Sequence, residues 1–256
     1  MKTKQEIVEN WLPRYTGMSL DSFGKYILLT NFDNYVRKFA EWNHVDVKGE
    51  DRSMLSATAQ GITIINFGMG SPNAATVIDC LSAIKPEAAL FLGKCGGLKK
   101  KHELGHFILP IAGIRGEGTS NDYFPPEVPS LPAFALQKAI STTIRDYNQD
   151  YWTGTVYTTN RRVWEWDEHF KEYLIKIRAM AIDMETATIF STAFYNEIPA
   201  GALLLVSDQP MIPEGVKTET SDKVVTSSFV DLHLKIGIDS LKQLINNGIT
   251  VKHLRY

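Results

Sequence analysis

The sequence is poor in cysteine, with only Cys80 and Cys95. Two thiols exclude a disulfide scaffold and fit a reducing compartment. It also lacks an excess of either charge: 27 Lys and Arg stand against 29 Asp and Glu, a net of −2. That balance makes no electrostatic bid for nucleic acid or an anionic membrane. An anionic ligand must therefore be met by a local cluster of cations. No apolar run approaches the ~18 residues that a membrane span requires. The opening MKTKQEIVENWLPRY has no apolar core ending in a small-residue cleavage site, as an export signal would. The expectation is a cytoplasmic protein with neither a membrane nor a nucleic-acid partner. Apolar residues, at 44%, are not scarce, which excludes a disordered chain. At 256 residues, a single catalytic α/β domain over 1–256 is the expected organisation.

Helical and strand-like stretches alternate throughout. KYILLTNF reads as a buried strand and DNYVRKFAEW as a helix capped near Asp33. SMLSATAQGITIINFG reads as two strands meeting at Gln60-Gly61. PNAATVIDCLSAI is a helix with Pro72 in its first turn and Ala75, Ile78, Leu81 and Ser82 along its inner stripe. EAALFLG, FILPIAGIRGEG, YWTGTVYTTN and AGALLLVSD read as further strands, and the uninterrupted apolar runs suit strands buried on both faces. LPAFALQKAISTTIRDY, METATIFSTAFYNE and a long closing segment stopped near Gly248 read as helices. The order implies a three-layer α/β domain, a central mixed, largely parallel sheet flanked by helices. The loop from Gly116 to Pro132 is long enough to suggest a functional segment.

His102-Glu103-Leu104-Gly105-His106 spells the HExxH signature of zinc peptidases. That chemistry needs a helix with both histidines on one face and Glu103 beside the metal-bound water. Gly96-Gly97 upstream and Pro110 downstream leave little room for it, and Ala112 stands where an extended motif places its third histidine. A polar turn leading into a strand is the preferred reading, with no metal and no cofactor.

Phe67-Gly68-Met69-Gly70-Ser71-Pro72 reads as a strand, a glycine loop and a helix start, a geometry that offers backbone amides to an anion. It is neither a dinucleotide fingerprint, since Asn73 replaces the third glycine, nor a P-loop. Gly93-Lys94-Cys95-Gly96-Gly97 reads as a second loop at a strand end and adds a cation. Ile182-Asp183-Met184-Glu185 sits where a short strand feeds a helix. Two acids there serve either the helix N-terminus or a pair of ligand hydroxyls. Leu203-Leu204-Leu205-Val206-Ser207-Asp208 ends a buried strand with an acid. Desolvation at such a place raises a carboxyl pKa and suits a general acid, although a loop cap is the alternative.

Gly68-Met69-Gly70, the Gly93–Gly97 segment, Glu117-Gly118-Thr119-Ser120, Asp183-Met184-Glu185 and Val206-Ser207-Asp208 occur in the order found in the nucleoside phosphorylase and nucleosidase superfamily, which the chain resembles over most of its length. Within that group NFDNYVRKF, EGTSNDYFPPEVPSLP, TTNRRVWEWDE and PEGVKTETSDK are similar to segments of the AMP nucleosidase branch, in a short form without the extra N-terminal domain of some members. The resemblance implies hydrolysis of AMP to adenine and ribose 5-phosphate. Met184 would pack under the ribose and Glu185 bind its 2′ and 3′ hydroxyls. Asp208, oriented by Ser207, would protonate the purine at N7 so that the base departs neutral, and Trp164 would stack on it.

The superfamily's phosphorylases carry an arginine where this chain has Phe91, and a small hydroxyl residue where it has Lys94. Losing that arginine favours water as the nucleophile. Gly70, Lys94, Thr119 and Arg161 are the first candidates for phosphate, with Arg115, Arg162 and Lys217 as further cations. A purine phosphorylase, another purine nucleosidase and a non-catalytic nucleotide-binding module remain alternatives, and the HExxH peptidase a remote one. The resemblance also implies a homohexamer in which Arg37 reaches a neighbour's site.

Overall fold

A computed structural model describes residues 2–247 of the chain, and the expected helix stop near Gly248 lies outside the described residues. The first helix, α1 (Lys4–Thr16), starts where Thr3 and Glu6 each satisfy the other's backbone N–H, and ends where Gly17 turns left-handed. The strand β1 (Tyr26–Thr30) leads into α2 (Asp33–Asn43), which buries Tyr35, Val36, Phe39 and Ala40 along one face. Asp33 opens α2 from inside: Phe32 holds the cap position, and no side chain caps the helix.

The next two strands, β2 (Ser56–Ala59) and β3 (Ile62–Asn66), form the expected hairpin at Gln60-Gly61. Both turn residues have positive φ, 52° and 78°, the backbone twist that joins antiparallel strands in two residues. Then follow α3 (Ser71–Leu81), β4 (Ala88–Gly97), β5 (Phe107–Gly116), α4 (Phe134–Asp146), β6 (Tyr151–Thr159), α5 (Glu168–Lys176), β7 (Ala181–Asp183), α6 (Thr186–Tyr195), β8 (Ala200–Asp208) and α7 (Glu219–Asn247). The sequence pattern gave no sign of α5. It buries only Leu174, so it has no apolar stripe to read, and its start is fixed by Asp167 accepting from the Phe170 amide.

The sheet order is β2-β3-β1-β4-β7-β6-β5-β8, and β4 also pairs with β8. That extra pairing closes β4, β7, β6, β5 and β8 into a ring, from which β1, β3 and β2 extend as a wing. The ladders β1–β3, β1–β4, β4–β8, β5–β6 and β6–β7 are parallel. Those of β2–β3, β4–β7 and β5–β8 are antiparallel. The sheet is thus mixed and largely parallel, as expected, but curled shut on one side.

Because side chains alternate faces along a strand, the buried runs feed two cores. Leu28, Leu90, Leu203 and Leu205 pack toward α2, α4 and α7 on one face. Ile27, Leu29, Phe91, Leu204 and Val206 pack toward α3 and α6 on the other. Helices on both faces of a sheet make the three layers.

Gly93–Gly97 is not a loop but the last half of β4. Gly96 lies in register with Ile182 of β7 on one side and with Asp208 of β8 on the other. A Cβ at Gly96 would stand 3.0 Å from Pro210 and 3.1 Å from Ile182, so glycine lets three chains converge there.

Candidate active site

A cleft opens where the carboxyl ends of β1, β4, β7 and β8 meet the chain leaving β6. Four cations, Lys94, Arg161, Arg162 and Lys217, and four carboxyls, Glu165, Asp183, Glu185 and Asp208, line it. Asn31, Phe32, Met69, Met184, Trp164 and Ser207 also contribute to its wall. Ligands in open α/β sheets bind beyond the carboxyl ends of strands, and this cleft obeys the rule.

The two acids of the Asp183-Met184-Glu185 segment divide the roles left open in the sequence. Asp183 accepts from the Thr158 hydroxyl at 2.7 Å, from the Thr186 amide at 2.8 Å, and from the Thr186 hydroxyl. It therefore fixes the start of α6 and ties β6 to β7. Glu185 turns the other way. Its Oε1 accepts from the Gly70 amide at 2.7 Å, and its Oε2 from the Met184 amide at 3.3 Å. Gly70 reaches that position with φ at 96°, which a side chain would strain.

Glu185 is 2% exposed. Burial, together with the nearby Asp183 charge, pushes its carboxyl up to about 8, against the pull of the Gly70, Met184 and Asn31 hydrogen bonds.

Asp208 ends β8 on the opposite side of Gly96. The Ser207 hydroxyl donates to its Oδ1 at 2.7 Å. Burial raises the Asp208 carboxyl above its ordinary range despite Ser207, Lys217 and Arg162, and the Glu165 charge adds to the rise. A carboxyl whose pKa is raised by burial and that lines a cleft is suited to donate a proton to a ligand.

The cations are held by acids. Lys94 Nζ lies 3.0 Å from Asp222 Oδ1 and 3.0 Å from the Thr226 hydroxyl, and 4.7 Å above the Phe32 ring. Burial pulls the Lys94 ammonium below its usual pKa, opposed by Asp222. Lys217 Nζ reaches the same Asp222 oxygen at 2.9 Å. Burial works against charge at Asp222, but Lys217 and Lys94 hold it ionised. Two lysines thus share one carboxylate at the cleft wall, leaving a net positive charge there. Arg161 pairs with Asp167 at 2.8 Å and Arg162 with Glu165 at 3.3 Å.

Of the residues singled out in the sequence, Met184, Glu185, Ser207, Asp208, Lys94, Arg161, Arg162, Lys217 and Trp164 are brought together. Trp164 is also a core residue, 4% exposed and edge-on to Phe170 at 5.4 Å. Gly70 acts through Glu185 rather than lining the cleft. Thr119 opens a short 3-10 turn, Thr119–Asp122, outside the cleft-lining set.

Arg115 is spent elsewhere. Its Nε donates to the Ser120 hydroxyl, and its two terminal nitrogens to Pro125 O, Val128 O, Asn121 Oδ1 and Phe124 O, at 2.6–3.0 Å. All five N–H groups are used, so it is the hub of the long loop and not a free phosphate ligand. Arg37 makes an exposed two-pronged pair with Glu50 at 2.7 and 2.9 Å.

The HExxH segment is a turn ahead of β5, with no helix. His106 takes the Trp152 indole and Glu103 amide hydrogens on Nδ1. His102 is fully buried with both ring nitrogens unpartnered among the described residues. The peptidase reading therefore loses the one element its geometry requires.

Asn31, Glu165 and Asp222 were missed in the sequence. Their only signal there was position, just past a strand end for Asn31, in the first turn of a helix for Asp222 and in the segment between β6 and α5 for Glu165, which many solvated residues share.

Comparison with known proteins gives this architecture a lineage. A crystal structure of AMP nucleosidase from Bacteroides thetaiotaomicron VPI-5482 is 56% identical, with a TM-score of 0.87, over 96% of this chain and 99% of that one. The AMP nucleosidase of Escherichia coli K12 is 28% identical over 93% of this chain, which spans 58% of that relative's length. A uridine phosphorylase structure from Vibrio fischeri ES114, at 21% identity and TM-score 0.77 over 88% of this chain and 93% of that one, shares the fold. Residues 25–242 match the phosphorylase superfamily, and the chain belongs to that family.

Proposed function

We propose that the chain hydrolyses the N-glycosidic bond of AMP, giving adenine and ribose 5-phosphate. The observation that carries this reading is the three-part cleft. It holds an acid at Asp208 whose pKa burial raises, a buried acid at Glu185 on the other side of Gly96, and a lysine pair at Asp222. The 56% identity to the Bacteroides AMP nucleosidase over nearly the whole chain supports the same reading.

In this mechanism Asp208 gives its proton to N7 of the purine. The C1′–N9 bond breaks with its electrons on the base, which leaves neutral, and the sugar passes through an oxocarbenium-like state. Water adds to C1′, and the proton it loses restores Asp208. Glu185, anchored by the Gly70 amide, accepts from the ribose hydroxyls, and Met184 packs under the ring. Lys94 and Lys217, with Arg161 beside them, meet the 5′-phosphate. Ser207 orients Asp208, and Trp164 offers its ring to the base. Gly70 acts by holding Glu185 and Thr119 opens a turn outside the cleft lining, so neither is assigned to the phosphate.

Phe91, which stands where the phosphorylases carry arginine, is fully buried in the core and brings no charge to the nucleophile's side. Water therefore fits better than phosphate as the attacking group. We further propose a single catalytic unit over 1–256 acting as a cytoplasmic homohexamer without a cofactor. The cytoplasmic part is supported by two buried free thiols. Among the described residues no helix is long and apolar enough to cross a membrane.

The test is to incubate the protein with AMP, adenosine and inosine, each with and without phosphate, and to identify the sugar product. Ribose 5-phosphate from AMP without added phosphate is the expected result. Phosphate-dependent ribose 1-phosphate from nucleosides would overturn it in favour of a phosphorylase.

A further inference from the structure

We propose that Glu165 makes this cleft selective for a 6-aminopurine over a 6-oxopurine, by accepting a hydrogen bond from the exocyclic amine. The inference rests on the reading of the cleft as a purine nucleotide site with Asp208 at N7.

Glu165 belongs to the cleft wall, and its side chain is only 14% exposed. Its Oε2 accepts from the Trp164 amide at 2.9 Å, and its Oε1 meets Arg162 at 3.3 Å. A carboxylate has about four lone-pair sites, so each oxygen keeps one unused. The backbone amide fixes the orientation of the group. The half-exposed Arg162 is a loose partner that can give way. Glu165 also stands near enough to Asp208 for its charge to act on that carboxyl.

Purine chemistry supplies the remaining step. N7 and the substituent on C6 lie side by side on one edge of the base. A 6-aminopurine presents there an acceptor and a donor, whereas a 6-oxopurine presents two acceptors. The Asp208 carboxyl, raised by burial, supplies a donor and the Glu165 side chain an acceptor, which together complement the first pattern. Against the second, the Glu165 carboxylate faces a carbonyl oxygen: the ligand oxygen is left unpaired and like lone pairs are opposed. The same two acids account for catalysis and for selection with separate groups, since the proton comes from Asp208 and the discrimination from Glu165.

The experiment compares kcat/KM for AMP and IMP in the wild-type protein and in Glu165→Gln. The glutamine carbonyl can still accept from the Trp164 amide, while its NH₂ can donate to a 6-oxo group. Wild type is expected to prefer AMP by about 100-fold, the size of discrimination one well-placed base contact gives. Glu165→Gln is expected to shrink that ratio at least tenfold, mostly through KM. An equal loss on both nucleotides would show a merely structural Glu165 and overturn the proposal.

A second arm needs no variant and no turnover: equilibrium binding of adenine, hypoxanthine and unsubstituted purine to the wild type. Adenine is expected to bind tightest, and equal binding, or no binding of adenine, overturns the proposal. If the wild type turns over neither nucleotide yet still prefers adenine, the hydrolase reading fails while the selectivity stands.

Discussion

Two loops leave neighbouring strands and put arginine to opposite uses. The strands β5 and β6 run parallel and, past a bulge between Pro110 and Ala112, end side by side, Gly116 beside Thr159. The loop after β5 wraps around Arg115, whose five N–H groups are all donated to that loop. The segment after β6 carries Arg161 and Arg162 into the cleft, each with a single carboxylate partner and about half its side chain in water. In the sequence all three were candidates for a phosphate, Arg161 the first of them. The difference is one of hydrogen-bond accounting: a guanidinium that satisfies backbone carbonyls has nothing left for a ligand, and a half-exposed one with a single carboxylate partner has donors to spare.

The largest expected effect lies in the cleft. Asp208→Asn should lower turnover of AMP by about 10²–10⁴-fold, the usual contribution of general acid catalysis, with AMP binding changed only a few-fold. Stability should not fall, because the variant removes a carboxyl that burial holds above its normal pKa. The sign with pH follows from the same shift: the active form is protonated, so wild-type kcat should decline as pH rises through the Asp208 pKa. A kcat that rises over that interval would move the acid role elsewhere. Folding stability should also fall as pH rises from about 4.5 toward about 8, because native Glu185 keeps a proton that the unfolded chain has released. Urea titrations at several pH values, repeated on Glu185→Gln, would detect a loss of that dependence.

Arg115→Ala should show the reverse signature. Removing one charged donor leaves Pro125, Val128 and Phe124 carbonyls without their partner and costs about 3 kcal/mol, read by urea denaturation. The folded fraction should keep a KM for AMP close to wild type. Arg161→Ala should leave stability within about 0.5 kcal/mol, its ion pair being exposed, and raise KM for AMP about tenfold. If Arg115→Ala raised KM and Arg161→Ala unfolded the protein, the contrast between the two loops would collapse.

Legibility in the sequence follows the same accounting. Alternating elements, the β2–β3 turn and acids at strand ends could be read because local pattern causes them. Ring closure could not, since the β4–β7 and β5–β8 contacts span only two register pairs each and depend on distant strands. Gly93–Gly97 was mistaken for a loop because glycine usually breaks strands. Here it stays in β4 and admits Pro210 and Ile182 at close range. Asp208 and Glu185 stood out by position, whereas Asp222 acquires its role from Lys94, 128 residues away, and Asn31 and Glu165 from the cleft that distant strands assemble around them.

The HExxH turn gives the smallest expected effect and the sharpest contrast with the cleft. There, charged groups are buried with partners; at His102 a neutral ring is buried with none. Burial pulls its pKa down to about 4, so it enters the folded state uncharged at neutral pH. Two unsatisfied ring nitrogens cost desolvation without return. His102→Leu should therefore stabilise the fold by about 1 kcal/mol, measured by denaturant midpoint, and leave kcat/KM for AMP unchanged. Zinc affinity of the wild type, read by calorimetry, should be no higher than that of the variant. A loss of activity in His102→Leu, or tight zinc binding that the variant lacks, would return chemistry to a segment whose turn geometry denies it the helix that such chemistry needs.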